Sequence, residues 1–150
     1  MSKISQEKTV VGIGASAGGL EALRLLIPRL PVQVDIAYII AQHLDPKHSS
    51  MLRDILAREN DIKIKEIDHQ EKLIGGVLYI IPPGKDAYLK NNNICLQSAT
   101  GIGPKPSIDR LFISLSKEFS RQAVGIILSG TGSDGAHGIR AIKAEEIRKG

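Results

Sequence analysis

The stretch Val10-Val11-Gly12-Ile13-Gly14-Ala15-Ser16-Ala17-Gly18-Gly19 constrains the fold more than any other. Its first half is apolar and β-branched, its second half is glycine and small residues, and an amphipathic segment follows at once. That order predicts a buried strand, a tight turn and a helix N-terminus, with the Ser16 hydroxyl in the turn. Two chemistries use this geometry. Glycines at 12 and 14 with Ala17 fit the loose dinucleotide form G-x-G-x-x-G/A, in which backbone approaches a pyrophosphate. Residues 14–18 equally fit G-x-S-x-G, the sharp turn that exposes a nucleophilic serine at the carboxyl edge of a sheet. Either match alone is weak, and the rest of the chain has to separate them.

Apolar runs recur downstream. Leu20, Leu23, Leu26, Ile27 and Leu30 keep helical spacing and predict a helix over 18–30, limited by Pro28 and Pro31. Residues 36–41 are apolar on both faces, as in a parallel strand covered by helices, and end at Gln42-His43. Asp45-Pro46 is a natural helix start, continuing through Met51, Leu52, Ile55 and Leu56. Residues 62–67 alternate as a half-exposed strand, and 77–81 form another apolar run stopped by Pro82-Pro83-Gly84. Residues 86–97, with an Asn91-Asn92-Asn93 tip, predict an antiparallel hairpin. Ile108, Leu111, Phe112, Leu115 and Phe119 mark a helix after a Gly/Pro loop. A buried strand over 123–128 then runs into Ser129-Gly130-Thr131-Gly132-Ser133-Asp134-Gly135-Ala136, and a last helix carries Ile139, Ile142 and Ile147. The expected fold is a doubly wound α/β domain with a mainly parallel sheet flanked by helices and an antiparallel hairpin excursion.

In such a sheet Ser16, His43 and Asp134 each fall just beyond the carboxyl end of a predicted strand, where ligand crevices form. Their types are those of a nucleophile, a base and an orienting carboxylate. Each also has a plain structural reading. Serine suits glycine-rich turns, a histidine can simply close a strand, and an aspartate before glycine commonly caps the next helix. The acid that a dinucleotide's ribose would need is missing at the end of the second strand, which offers Gln42-His43 instead, and there is no Walker lysine. His43, Asp45 and His48 lie near one another in sequence, but no ligand set completes a metal site. Neither a metal nor an organic cofactor is expected. His69 and His137 read as surface residues, and Cys95 as a small strand residue.

Composition narrows the partners. A hydrophobic fraction of 42% and a charged fraction of 24% suit an ordinary globular domain, and no apolar run reaches membrane-span length. A net charge of +4 favours an acidic partner, while three tyrosines, two phenylalanines and no tryptophan argue against a base-stacking, nucleic-acid surface. One cysteine and no secretory h-region in the first residues suit a cytoplasmic protein.

Gly12-Ile13-Gly14-Ala15-Ser16-Ala17-Gly18-Gly19, Gln42-His43-Leu44, Tyr79-Ile80-Ile81-Pro82-Pro83-Gly84, Pro106-Ser107-Ile108-Asp109-Arg110-Leu111-Phe112 and Ser129 to Ala136 together resemble the CheB-type protein-glutamate methylesterase domain of bacterial chemotaxis. The serine, histidine, acid order departs from that of α/β-hydrolases. The resemblance implies hydrolysis of glutamate methyl esters on cytoplasmic helices of chemoreceptors, releasing methanol, with glutamine deamidation as a side activity. It maps the triad onto Ser16, His43 and Asp134, with backbone N–H groups around Ala17 and Thr131 holding the oxyanion. Ala17 and Thr131 stand where many relatives carry threonine and methionine. Gln-His-Leu-Asp-Pro resembles copies fused to a methyltransferase and sensor modules more than stand-alone response regulators, which implies fused or partner methyltransferase and sensor or kinase modules. Residues 1–8 are expected to be a tail and 9–150 the catalytic domain, C-terminally truncated relative to the family. The alternative is a non-catalytic signalling or binding module on the same fold.

Overall fold

The computed structural model describes residues 8–16, 19–43, 49–101, 106–128 and 136–149. The chain runs β1 (Thr9–Ala15), α1 (Leu20–Leu26), β2 (Ile36–Gln42), α2 (Ser49–Glu59), β3 (Lys63–Glu66), β4 (Glu71–Lys72), β5 (Val77–Ile80), β6 (Lys85–Lys90), β7 (Asn93–Ser98), α3 (Ile108–Phe119), β8 (Ala123–Leu128) and α4 (Ala136–Lys149). A five-stranded sheet has the order β3-β5-β2-β1-β8, and β4-β7-β6 form a three-stranded sheet. Every pairing in the larger sheet is parallel. The pairings of the smaller sheet are antiparallel.

Alternation along the strands divides the core in two. Val11, Ile13, Tyr38, Ile40, Leu78 and Ile80 face Leu23 and Ile27 at α1 and Leu52 and Leu56 of α2. Val10, Ala37, Ile39, Tyr79 and Ala123 face Ile108, Leu111, Phe112 and Leu115 of α3, together with Ile142 of α4 and the hairpin residues Ala87, Leu89 and Ile94. Strands buried on both faces need near-continuous apolar sequence, which is why β2 and β5 read so clearly. From β1 the chain lays β2, then β3 at the edge and β5 between them, all on one side of β1, and then returns to lay β8 on the other side. That reversal puts a switch point between β1 and β8.

Glycines make the second face possible. A Cβ on Gly12 would lie 2.6 Å from Leu115 Cδ1 and 2.7 Å from Phe112 Cε1, and one on Gly14 would lie 2.6 Å from Ile108 Cγ2. Both residues sit inside β1 rather than in the turn. The space left by their missing side chains is filled by α3, so it is closed to a pyrophosphate.

Differences from the sequence reading have local causes. The α-helix predicted over 18–30 is α-helical only from Leu20 to Leu26 and tightens to a 3₁₀ turn over Ile27–Arg29. Pro28 has no N–H to continue the α ladder. The hairpin tip is Asn91-Asn92, both with positive φ (52° and 63°), and Asn93 already belongs to β7. Such a pair of left-handed residues is the turn that matches strand twist. Strand β4, only Glu71-Lys72, is too short to show a period in the sequence. Strand β8 is less buried than predicted, with Val124 40% exposed, since among the described strands it pairs only with β1.

Candidate functional site

Three neighbouring strands end at one height. Ala15 pairs with Gln42 on β2 and with Leu128 on β8. Positions 16, 43 and 129 therefore follow the last register pairs of adjacent strands. Neighbouring strands lie about 4.8 Å apart, so the ends of β1 and β2 that lead into Ser16 and His43 are one strand spacing from each other. His43 N–H donates to the Ala15 carbonyl at 2.9 Å, which carries the β1–β2 ladder one residue past its last register pair.

Ser16 lies in a closed turn. Its carbonyl accepts from Gly19 N–H at 2.8 Å, and Gly19 in turn accepts from Leu23 N–H at 2.9 Å, which starts α1. A Cβ on Gly19 would meet the Ala15 Cβ at 2.7 Å, so the turn can fold back on the strand end only without one. Ser16 and His43 are both half-buried, placed between core and solvent. Gln42 is 2% exposed, and its Nε2 donates to the Ser16 carbonyl at 3.4 Å. From sequence Gln42 reads only as a strand end. Its side-chain direction follows only from the register, which puts it beside Ala15.

Asp134, Ala17 and Thr131 lie outside the described residues. At α4, Gly138 N–H, in the first turn, donates to Asp109 Oδ1 of α3 at 2.8 Å. From sequence Asp109 belongs to the Pro106–Phe112 motif, which does not by itself reveal this contact. Its neighbour Ser107 caps α3 itself, accepting from Arg110 N–H at 3.2 Å. Asp86 of β6, wholly buried, accepts from Ser107 N–H at 2.8 Å and lies 3.5 Å from Arg110 Nε. Two carboxylates, Asp86 and Asp109, thus tie the start of α3 to the hairpin on one side and to α4 on the other. Cys95 is a buried residue of β7. His69 is exposed, 3.8 Å from Asp68.

An open, doubly wound α/β sheet with a serine turn and a histidine on adjacent strand ends, beside its switch point, defines a hydrolase-like α/β domain. The CheB methylesterase family profile matches residues 11–148. A putative protein-glutamate methylesterase/protein-glutamine glutaminase of Leptospira interrogans is 35% identical over 133 residues, covering 87% of this chain and 69% of that one. The protein-glutamate methylesterase/protein-glutamine glutaminase of Escherichia coli K12 is 37% identical over 145 residues, or 93% of this chain, which spans 41% of that protein's length. The crystal structure of the Thermotoga maritima CheB methylesterase catalytic domain superposes with a TM-score of 0.83 at 25% identity, covering 92% of this chain and 76% of that one. The chain belongs to the CheB methylesterase family.

Proposed function

We propose that this domain hydrolyses glutamyl methyl esters on a protein, releasing methanol, with Ser16 as nucleophile, His43 as general base and Asp134 as the carboxylate that orients the imidazole. The observation that carries the proposal is the register Ala15–Gln42 and Ala15–Leu128, which sets Ser16 and His43 on adjacent strand ends beside the strand that leads to Asp134. In this mechanism Ser16 Oγ attacks the ester carbonyl carbon while His43 takes its proton. Backbone N–H groups around Ala17 and Thr131 hold the oxyanion, each such donor contributing about 3 kcal/mol to the transition state. Collapse expels methoxide, which leaves as methanol with the proton from His43. Water then attacks the acyl-enzyme by the same route and frees the glutamate. An amide substrate would follow the same path with ammonia leaving, which is the glutaminase activity named in the relatives.

The substrates in this proposal are methylated cytoplasmic helices of chemoreceptors, and a methyltransferase with sensor or kinase modules would work alongside it. A net charge of +4 supports encounter with an acidic receptor surface. The test uses a receptor fragment carrying labelled methyl esters. Wild-type chain should release labelled methanol, and Ser16→Ala should reduce the rate by roughly 10⁴-fold or more. Equal release by wild type and Ser16→Ala would refute the proposal.

A further inference from the structure

Among the described residues, the buried carboxamide of Gln42 is poorly satisfied. Its side chain is 2% exposed, on the sheet face that packs against α1, in register with Ala15. Nε2 makes one long hydrogen bond, 3.4 Å to the Ser16 carbonyl. Oε1 is buried, and among the described residues no donor reaches it. The amide's orientation follows from its neighbour, since turning it over would set two carbonyl oxygens against each other. A buried acceptor without a donor is unfavourable, and a weak bond offsets little of that. An apolar side chain of the same length would serve the fold better, and sites that break such a rule are expected where function requires them.

The contact made by Nε2 indicates the function. The Ser16 carbonyl belongs to the peptide unit whose N–H is that of the next residue. A trans peptide is planar and carries its N–H opposite its C=O. Gly19 N–H at 2.8 Å and Gln42 Nε2 at 3.4 Å both donate to that carbonyl, one from the start of α1 and one from the end of β2, and so both bear on the orientation of the peptide unit that follows Ser16. We infer that Gln42 is a positioning residue: it fixes the peptide plane after Ser16 and so aims the first oxyanion donor at the ester carbonyl. This rests on the proposed esterase mechanism and adds to it a residue that touches no reacting atom.

Gln42→Met keeps the length of the side chain and removes both polar atoms. With the labelled ester substrate, kcat should fall by about 10- to 100-fold, less than the 10²- to 10³-fold for deleting an oxyanion donor outright. KM should stay within about twofold, because the ground-state ester gains little from the donor. The melting temperature of Gln42→Met should equal or exceed that of wild type. Wild-type kcat in Gln42→Met, measured where Ser16→Ala is inactive, would overturn the inference and leave the esterase proposal standing. Lower melting temperatures in both Gln42→Met and Gln42→Leu would also overturn it, by making the carboxamide a packing residue. Activity persisting in Ser16→Ala would instead remove the esterase proposal itself.

Discussion

Replacing Gly12 by alanine tests how α3 is seated. Gly12 and Gly125 are register partners on neighbouring strands, and the Phe112 ring lies across both. A Cβ on Gly12 would meet Phe112 Cε1 at 2.7 Å and Leu115 Cδ1 at 2.6 Å, while the opposite ring edge, Cε2, lies 3.0 Å from a Cβ on Gly125. The root of the same side chain is pinned too, because a Cβ on Gly138 of α4 would come within 2.4 Å of Phe112 Cβ. Phe112 is therefore seated closely against backbone at three glycines, which leaves its ring little room to move away from Gly12. By strand preference alone Gly12→Ala should stabilise, by about 0.5–1 kcal/mol. Overpacking a filled core costs about 1–3 kcal/mol. With the ring held on several sides the upper part of that range applies, so the net effect is a loss of about 1–2 kcal/mol. For a chain of this size that is a fall of about 2–8 °C in melting temperature. Urea titration followed by far-UV circular dichroism gives the free energy, and Gly12→Ala combined with Phe112→Leu gives the coupling. The double variant should be more stable than the sum of the singles by about 0.5–3 kcal/mol. A stabilising Gly12→Ala, or additive effects, would refute this account of how the helix sits on the sheet.

Two further predictions concern single polar contacts. Asp109→Ala removes the acceptor for Gly138 N–H and should cost about 1 kcal/mol, whereas Asp109→Asn keeps an acceptor oxygen and should melt close to wild type; thermal denaturation distinguishes them. Tyr79 Oη accepts from Ile74 N–H at 2.9 Å, and burial raises its phenol above the ordinary value of 10.0. The unfolded chain therefore loses this proton first, so stability is intact below about pH 10 and declines as pH rises beyond it. Tyr79→Phe should lose about 1 kcal/mol at neutral pH and show a shallower alkaline decline, measured by urea unfolding at a series of pH values.

Much of the scaffold was legible because its signals are local. Apolar runs at 36–41 and 77–81 can hardly be anything but strands buried on both faces, and the Phe112 helix carries an unbroken apolar stripe. Less legible was anything that depends on what lies across the sheet. Gly12 and Gly14 match a ligand-binding pattern and a helix-packing pattern equally well, and only the position of Ile108, Phe112 and Leu115 decides between them. The exposure of β8 depends on its having one described neighbour, which its own sequence does not reveal. At the site, Ser16 and His43 could be paired from sequence because each follows a strand end. Gln42 could not be linked to Ser16, because a side chain's face depends on register and register on the whole sheet.

Packing and chemistry are coupled through those same glycines. Side chains alternate along β1: Val11 and Ile13 face α1 and α2, while Val10, Gly12 and Gly14 face α3. Only the glycine positions can lie beneath Phe112 and Ile108. Sliding β1 by one residue would drive Val11 and Ile13 into the helix and empty the opposite face. The seating of α3 therefore selects a single height for β1 against β2 and β8. That height sets Ala15 opposite Gln42 and Leu128. Ser16 is level with His43 because of it, and the Ser16 carbonyl comes within reach of the Gln42 amide for the same reason. A substitution at Gly12 that loosens this seat should consequently disturb activity as well as stability, although Gly12 lies four residues before Ser16.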